Sequence, residues 1–142
     1  SRFNSKGNVE SIFHVKDGLK HGKEWVYYSD ETELKPKLYI EWYEDIIHGI
    51  ARSWFRNGAL ESERELVDNK KHGVSSAWYK DGSLMFIEEY ENENLKKGNY
   101  MGRGDSTTIS SIENGSGIAT LYDADGIFLK RVTYEKGAPI DE

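Results

Sequence analysis

The chain has 142 residues, with 19 Lys+Arg against 25 Asp+Glu for a formal charge of −6, and it contains no cysteine. The missing thiols exclude a disulfide framework, a thiolate nucleophile, a thiolate zinc site and an iron–sulfur cluster. The acidic balance argues against nucleic acid or an anionic membrane as the main partner, and no stretch approaches the ~20 apolar residues of a membrane-spanning helix.

In chain order, residues 7–21, from Gly7 through Asp17-Gly18, read as a half unit capping the amino end. A repeat follows. His21-Gly22, His48-Gly49, His72-Gly73 and Lys97-Gly98 recur at intervals of 27, 24 and 25 residues, the signature of an array of small supersecondary units. The first unit, 22–48, carries Tyr27-Tyr28 and a polar insertion at 29–37. The second, 49–72, carries Trp54-Phe55, the turn Arg56-Asn57-Gly58 and a return strand at 60–66. The third, 73–97, carries Trp78-Tyr79, Lys80-Asp81-Gly82 and a return strand at 84–90. Residues 98–116 depart most, with Gly98, Gly102, Gly104, Gly115 and a Ser/Thr-rich run suggesting a degenerate or looped-out copy. The fourth unit, 117–137, carries Tyr122, Ala124-Asp125-Gly126 and a return strand at 128–134.

Asn-Gly and Asp-Gly are strong hairpin signals, because a type I′ turn needs the positive φ these residues tolerate. In the third return strand Leu84, Phe86 and Tyr90 alternate with Met85, Ile87 and Glu89, the period of two of a strand with one buried face. Glycines interrupt the chain too often for a sustained helical stripe. The prediction is a single all-β domain over 1–142: tandem antiparallel β-hairpin repeats in one elongated twisted sheet. Neighbouring hairpins would bury a continuous aromatic face that one alone could not.

The strings Trp54-Phe55-Arg56-Asn57-Gly58-Ala59-Leu60 and Trp78-Tyr79-Lys80-Asp81-Gly82-Ser83-Leu84, with closing elements from Tyr43 to Gly49 and from Leu66 to Gly73, resemble the MORN-repeat family in the variant form of bacterial arrays. Tyr122 to Phe128 is a degenerate match. The resemblance implies a hairpin-repeat fold and a role as an interaction or scaffolding module; some bacterial arrays of this form are classed as antitoxins.

No catalytic, cofactor-binding or metal-binding residue is expected. His21, His48 and His72 are explained by the repeat, and equivalent strands of adjacent hairpins lie too far apart, about 9–10 Å, for histidines to share an ion readily. Glu61, Glu63 and Glu65 alternate on one strand face and read as a solvated acidic surface, or alternatively as a surface for a basic partner. Tyr27, Trp54, Trp78 and Tyr122 share one repeat position and are expected to form the core ladder. Tyr28, Phe55 and Tyr79 then point to the opposite face, where, with Trp25 and Trp42, they form the expected protein-binding surface. Arg103-Gly104-Asp105 matches an integrin-recognition string and needs both charged side chains presented on an exposed turn. The leading expectation is a non-enzymatic scaffold for protein–protein interaction; the alternative is an antitoxin or immunity protein neutralising a basic toxin through an acidic sheet face.

Overall fold

The computed structural model describes residues 2–3, 9–29 and 33–140. Residues 7–8 of the half unit and 30–32 of the insertion lie outside them. The described residues contain strands and turns but no helix. Fifteen strands run in order β1 (Arg2–Phe3), β2 (Val9–Ile12), β3 (Val15–Lys16), β4 (Leu19–Lys20), β5 (Gly22–Tyr27), β6 (Pro36–Tyr43), β7 (Ile46–Trp54), β8 (Leu60–Val67), β9 (Lys70–Trp78), β10 (Leu84–Glu91), β11 (Asn94–Met101), β12 (Thr108–Glu113), β13 (Ser116–Tyr122), β14 (Phe128–Glu135) and β15 (Ala138–Pro139). All but β3 and β4 form one 13-stranded antiparallel sheet in chain order; β3 and β4 pair separately between β2 and β5. The fold is therefore all-β and built from successive hairpins. Residues 98–116 join the succession: β11, β12 and β13 pair antiparallel like the rest.

The two ends of the strands turn differently. At one end, Glu44-Asp45, Asp68-Asn69 and Asn92-Glu93 take positive φ at both residues, the type I′ geometry that matches strand twist. Sequence had placed that turn at Asn57-Gly58 and Asp81-Gly82 instead. There Gly58 and Gly82 alone have positive φ. Gly58 N–H donates to Phe55 C=O and Phe55 N–H to Ala59 C=O, both at 2.9 Å: a type I turn followed by a glycine bulge, with Asn57 Oδ1 accepting from Ala59 N–H. The I′ turns stitch neighbouring units together. Asp45 N–H donates to Lys20 C=O, Asn69 N–H to Ile47 C=O and Glu93 N–H to Lys71 C=O, at 2.8–2.9 Å.

Consequently His48 and His72 lie within β7 and β9. Gly49 and Gly73 have φ of 123° and 98°, and a Cβ on either would collide with the carboxylate of Glu41 or Glu65 respectively. Only glycine fits there.

Cross-strand pairing sorts side chains onto two faces. Tyr39, Arg52, Glu63, Ser76 and Ile87 are opposite one another in successive strands, and this is the outer face. The neighbouring row, Leu38, Ser53, Ser62, Ala77, Phe86 and Tyr100, is on the inner face. Alternation along the strands places Trp54 and Trp78 on the outer side together, as the repeat requires.

The expected assignment of the dry face is reversed, however. Trp54 and Trp78 are half-buried, whereas Phe55 is 8% and Tyr79 0% exposed. The sheet coils so that the inner face closes on itself. Lys80 N–H, at the end of β9, reaches Ala124 C=O beyond β13 at 3.2 Å, and Leu95 N–H reaches Gly137 C=O at 3.0 Å. Leu95, Tyr100, Ile112 and Ala119 form the core inside this coil. Tyr79 packs edge-on against Tyr122, with ring centroids 6.4 Å apart, and its hydroxyl donates to Met101 C=O at 2.6 Å.

Candidate functional site

Toward the amino-terminal side of that core, the inner face stays open. Between β6 and β10 the inner positions of β7, β8 and β9 hold Ala51, Ser53, Ser62, Ser75 and Ala77. These small side chains make the floor of a trough, with Leu38 and Ile40 on one wall and Phe86 on the other; Phe55 closes one end, and Glu61, at the bulge before Ser62, lines it too instead of sharing the face of Glu63 and Glu65. Arg64 stands in the middle of the floor, between Ala51 and Ser75 in the cross-strand register. Among the described residues its guanidinium has no hydrogen bond or ion pair; it is exposed and acts on Tyr90 only through its field. Beside it, Ser75 is 2% exposed and its Oγ lacks a hydrogen-bond partner.

One strand further along the same row, opposite Ser75, Glu88 is buried and accepts from Tyr90 Oη at 3.0 Å and from Tyr100 Oη. Burial, then the Glu88 charge, pushes both phenols well above their ordinary titration range. A carboxylate held by two phenols satisfies its lone pairs inside the coil, so this cluster anchors the deep end of the trough and fixes Tyr100 in the core.

The residues expected to bind a partner do not form one surface. Phe55 and Tyr79 are interior, as described, because the coil turns their side of the sheet inward. Trp25 lies on the outer face, 4.7 Å from the Tyr39 ring and stacked at 5.7 Å on Trp54. Trp42 pairs with Gly22 in the neighbouring inner-face register. Its Nε1–H donates to Glu24 at 2.9 Å and Lys20 Nζ lies 5.0 Å over its ring. Tyr28 sits at the opposite end of the strands, its hydroxyl donating to Trp54 C=O at 2.6 Å and Arg56 covering its ring. Each of these three half-buried rings is held by intramolecular contacts.

The acidic strand face is broken up in the same way. Glu63 pairs with Arg52 at 2.6 Å and Glu65 lies over Gly73. In the Arg-Gly-Asp string, Arg103 is drawn to Asp81 at 3.3 Å and to the carbonyl of Asp125, while Asp105 accepts from Thr107 N–H within its own turn. Of the histidines, His72 Nδ1 accepts from Asn92 N–H and His48 faces Asp68 at 3.6 Å. No group of three metal-capable side chains converges among the described residues.

The trough went unnoticed in the sequence although a signal was present. Ala51, Ser53, Ser75 and Ala77 fall at alternate positions before the aromatic doublets, which is the pattern of a floor rather than of a packed face. No protein-family model, curated protein or solved structure matches the chain.

Proposed function

We propose that the chain is a non-enzymatic, MORN-like β-repeat scaffold that binds a partner protein in the inner-face trough. The observation that carries this reading is Arg64, without a hydrogen bond or ion pair among the described residues, on a small-residue floor flanked by Leu38, Ile40 and Phe86, with Glu61 also in the lining. Aliphatic and aromatic walls supply area, and the exposed Arg64 guanidinium supplies orientation by pairing with a carboxylate of the partner. With four strand spacings from β6 to β10, the walls stand about 19 Å apart before their side chains are counted, which leaves room for a single partner segment. The antitoxin alternative relies on a continuous acidic face, and the Arg52–Glu63 pair draws one of its carboxylates into an internal contact.

The test uses the whole chain as bait for affinity capture, with mass spectrometry of what it retains. Ser62→Trp, which fills the floor, and Arg64→Glu should each lose proteins that wild type and the outer-face control Ile87→Glu both retain. An unchanged capture profile across all four baits would refute the trough as the docking surface.

A further inference from the structure

We propose that the partner segment seated in the trough carries a phosphorylated side chain, whose phosphoryl group is received by Arg64 and Lys71 together. The inference rests on the trough reading above and deepens it. Arg64 alone calls for one carboxylate, whereas Arg64 with Lys71 calls for a dianion.

Lys71 follows Arg64 along the inner face. It is opposite Leu66, the residue of β8 that shares the face of Arg64 one alternation further on, and its Nζ lies 4.8 Å over the ring of Tyr90 on β10. Arg64 acts on the same phenol through its charge. From adjacent strands the two cations thus converge on the Tyr90 end of the floor. Elsewhere in the sheet a carboxylate of the chain neutralises each of Lys20, Arg52, Lys80 and Arg103, namely Glu24, Glu63, Asp125 and Asp81 in turn. Arg64 and Lys71 have no such partner among the described residues. The carboxylates around them are engaged or turned elsewhere. Glu88 accepts from both phenols, Glu65 lies over Gly73, and Glu61 lines the trough toward Phe55.

Charge and shape select the ligand. A phosphomonoester carries roughly −1.5 to −2 charge near pH 7 and offers three acceptor oxygens. The planar guanidinium takes two of them as a fork, and the ammonium takes the third as a point charge. A carboxylate that filled the Arg64 fork would leave Lys71 unpaired. Glu61 repels the same dianion from the Phe55 end, so the phosphoryl group has one place along the floor. Both cations stand in a recess between Leu38 and Ile40 on one side and Phe86 on the other. A protruding side chain enters such a recess and a flat bilayer does not, which favours a protein ligand over a lipid headgroup.

The experiment is an NMR titration of the 15N-labelled full chain with the end-blocked peptide Leu-Val-phosphoserine-Val-Leu. Counterparts carry Ser or Glu at the central position, and inorganic phosphate and phosphatidylcholine vesicles containing phosphatidic acid are titrated in parallel. The phosphopeptide should shift the amides of residues 64–66 and 71–75 with a Kd of about 1 mM or tighter, and the Ser and Glu peptides should bind about tenfold more weakly. Arg64→Gln and Lys71→Gln should each weaken the phosphopeptide by about tenfold, while Lys70→Gln leaves it unchanged. In the wild-type complex, which needs no variant to fold, the 31P resonance of the bound phosphoserine should titrate below its free value of about 6. Equal binding of the Glu peptide or of inorganic phosphate, tighter binding to the vesicles through the same two cations, an unlowered phosphate titration, or no shifts at those amides up to about 10 mM phosphopeptide would overturn the proposal. The trough itself is judged separately. If phosphatase treatment of the lysate leaves in place the captured proteins that Ser62→Trp loses, phosphate recognition fails and the trough stands; if Ser62→Trp loses nothing, both fail.

Discussion

Replacing Tyr79 separates an interior role from a surface one. Its ring is fully buried, and its hydroxyl is the donor to the carbonyl of Met101, itself 6% exposed. Tyr79→Ala removes a core aromatic, which costs about 3–5 kcal/mol. Tyr79→Phe keeps the ring and leaves a buried carbonyl without its donor, at about 1–3 kcal/mol. Phe occurs naturally at the equivalent Phe55, so the truncated ring fits the repeat and the Phe variant isolates the hydrogen bond. With an unfolding entropy of about 2.1 cal/mol/K per residue, 142 residues give ~0.3 kcal/mol/K. Thermal unfolding followed by tryptophan fluorescence should then show Tm falling by roughly 10–17 °C for Tyr79→Ala and roughly 3–10 °C for Tyr79→Phe. A docking aromatic on the surface would change stability by no more than about 0.5 kcal/mol. A Tm shift under about 2 °C for Tyr79→Ala would refute both the coil and the interior position of this row.

Three further outcomes follow from the same geometry. Glu93 holds φ of 72° in its I′ turn while its N–H bonds to Lys71 C=O; Glu93→Gly keeps that bond, relieves the left-handed backbone, and should raise stability by about 1 kcal/mol in urea titration. Gly73→Ala should cost about 1–3 kcal/mol for its positive φ, plus the collision with Glu65; adding Glu65→Ala should recover the collision part only, read as non-additivity in a double-mutant cycle. Tyr39 and Tyr79 are pushed up to about 12, in each case first by burial, against about 10 for an unfolded phenol. A raised folded pKa means the native state keeps protons that the unfolded chain has lost. This contribution is therefore complete below about pH 10 and disappears as pH rises towards 12. Urea midpoints should be level between about pH 7 and 9 and drop at about pH 11, with tyrosinate absorbance rising together with unfolding; early ionisation of Tyr79 without unfolding would contradict its burial.

The strand succession was legible in the sequence because glycine spacing and two-residue alternation are local signals, and both survive in β7 to β10. Which face would be dry was not legible. Alternation separates Trp54 from Phe55 but is symmetric between the faces; curvature chooses between them. The turns misled for a related reason. Asn57-Gly58 has the composition of a type I′ turn, yet the true I′ turns use Glu44-Asp45, Asp68-Asn69 and Asn92-Glu93. At those sites the second residue is held by a bond to the neighbouring unit, as Asn69 is to Ile47 through both its N–H and its Oδ1, and that support is invisible until the units are placed side by side. Residues 98–116 looked irregular because their hairpin lacks the aromatic doublet; Gly98 and Tyr100 nevertheless pair in line with Glu88 and Phe86.

The core and the trough have one origin. The outer rows carry bulk, in Trp25, Tyr39, Arg52 and Trp54, whereas the inner rows of β7 to β9 carry Ala51, Ser53, Ser62, Ser75 and Ala77. A sheet whose side chains are small on one side can bend toward that side without overlap, and close packing then requires the enclosed volume to be filled. From β10 onward the inner positions grow to Phe86, Tyr100 and Ile112, and the coil fills itself; these last two are fully buried. From β7 to β9 they stay small, so the same curvature leaves a concavity that the chain's described residues do not fill. Small residues at the inner positions thus set the bend and keep the floor vacant, while the polar Arg64 stands where a closed core would have required an apolar side chain. That asymmetry along a single sheet is why the packed core lies in the carboxyl-terminal hairpins and the open trough in those before them.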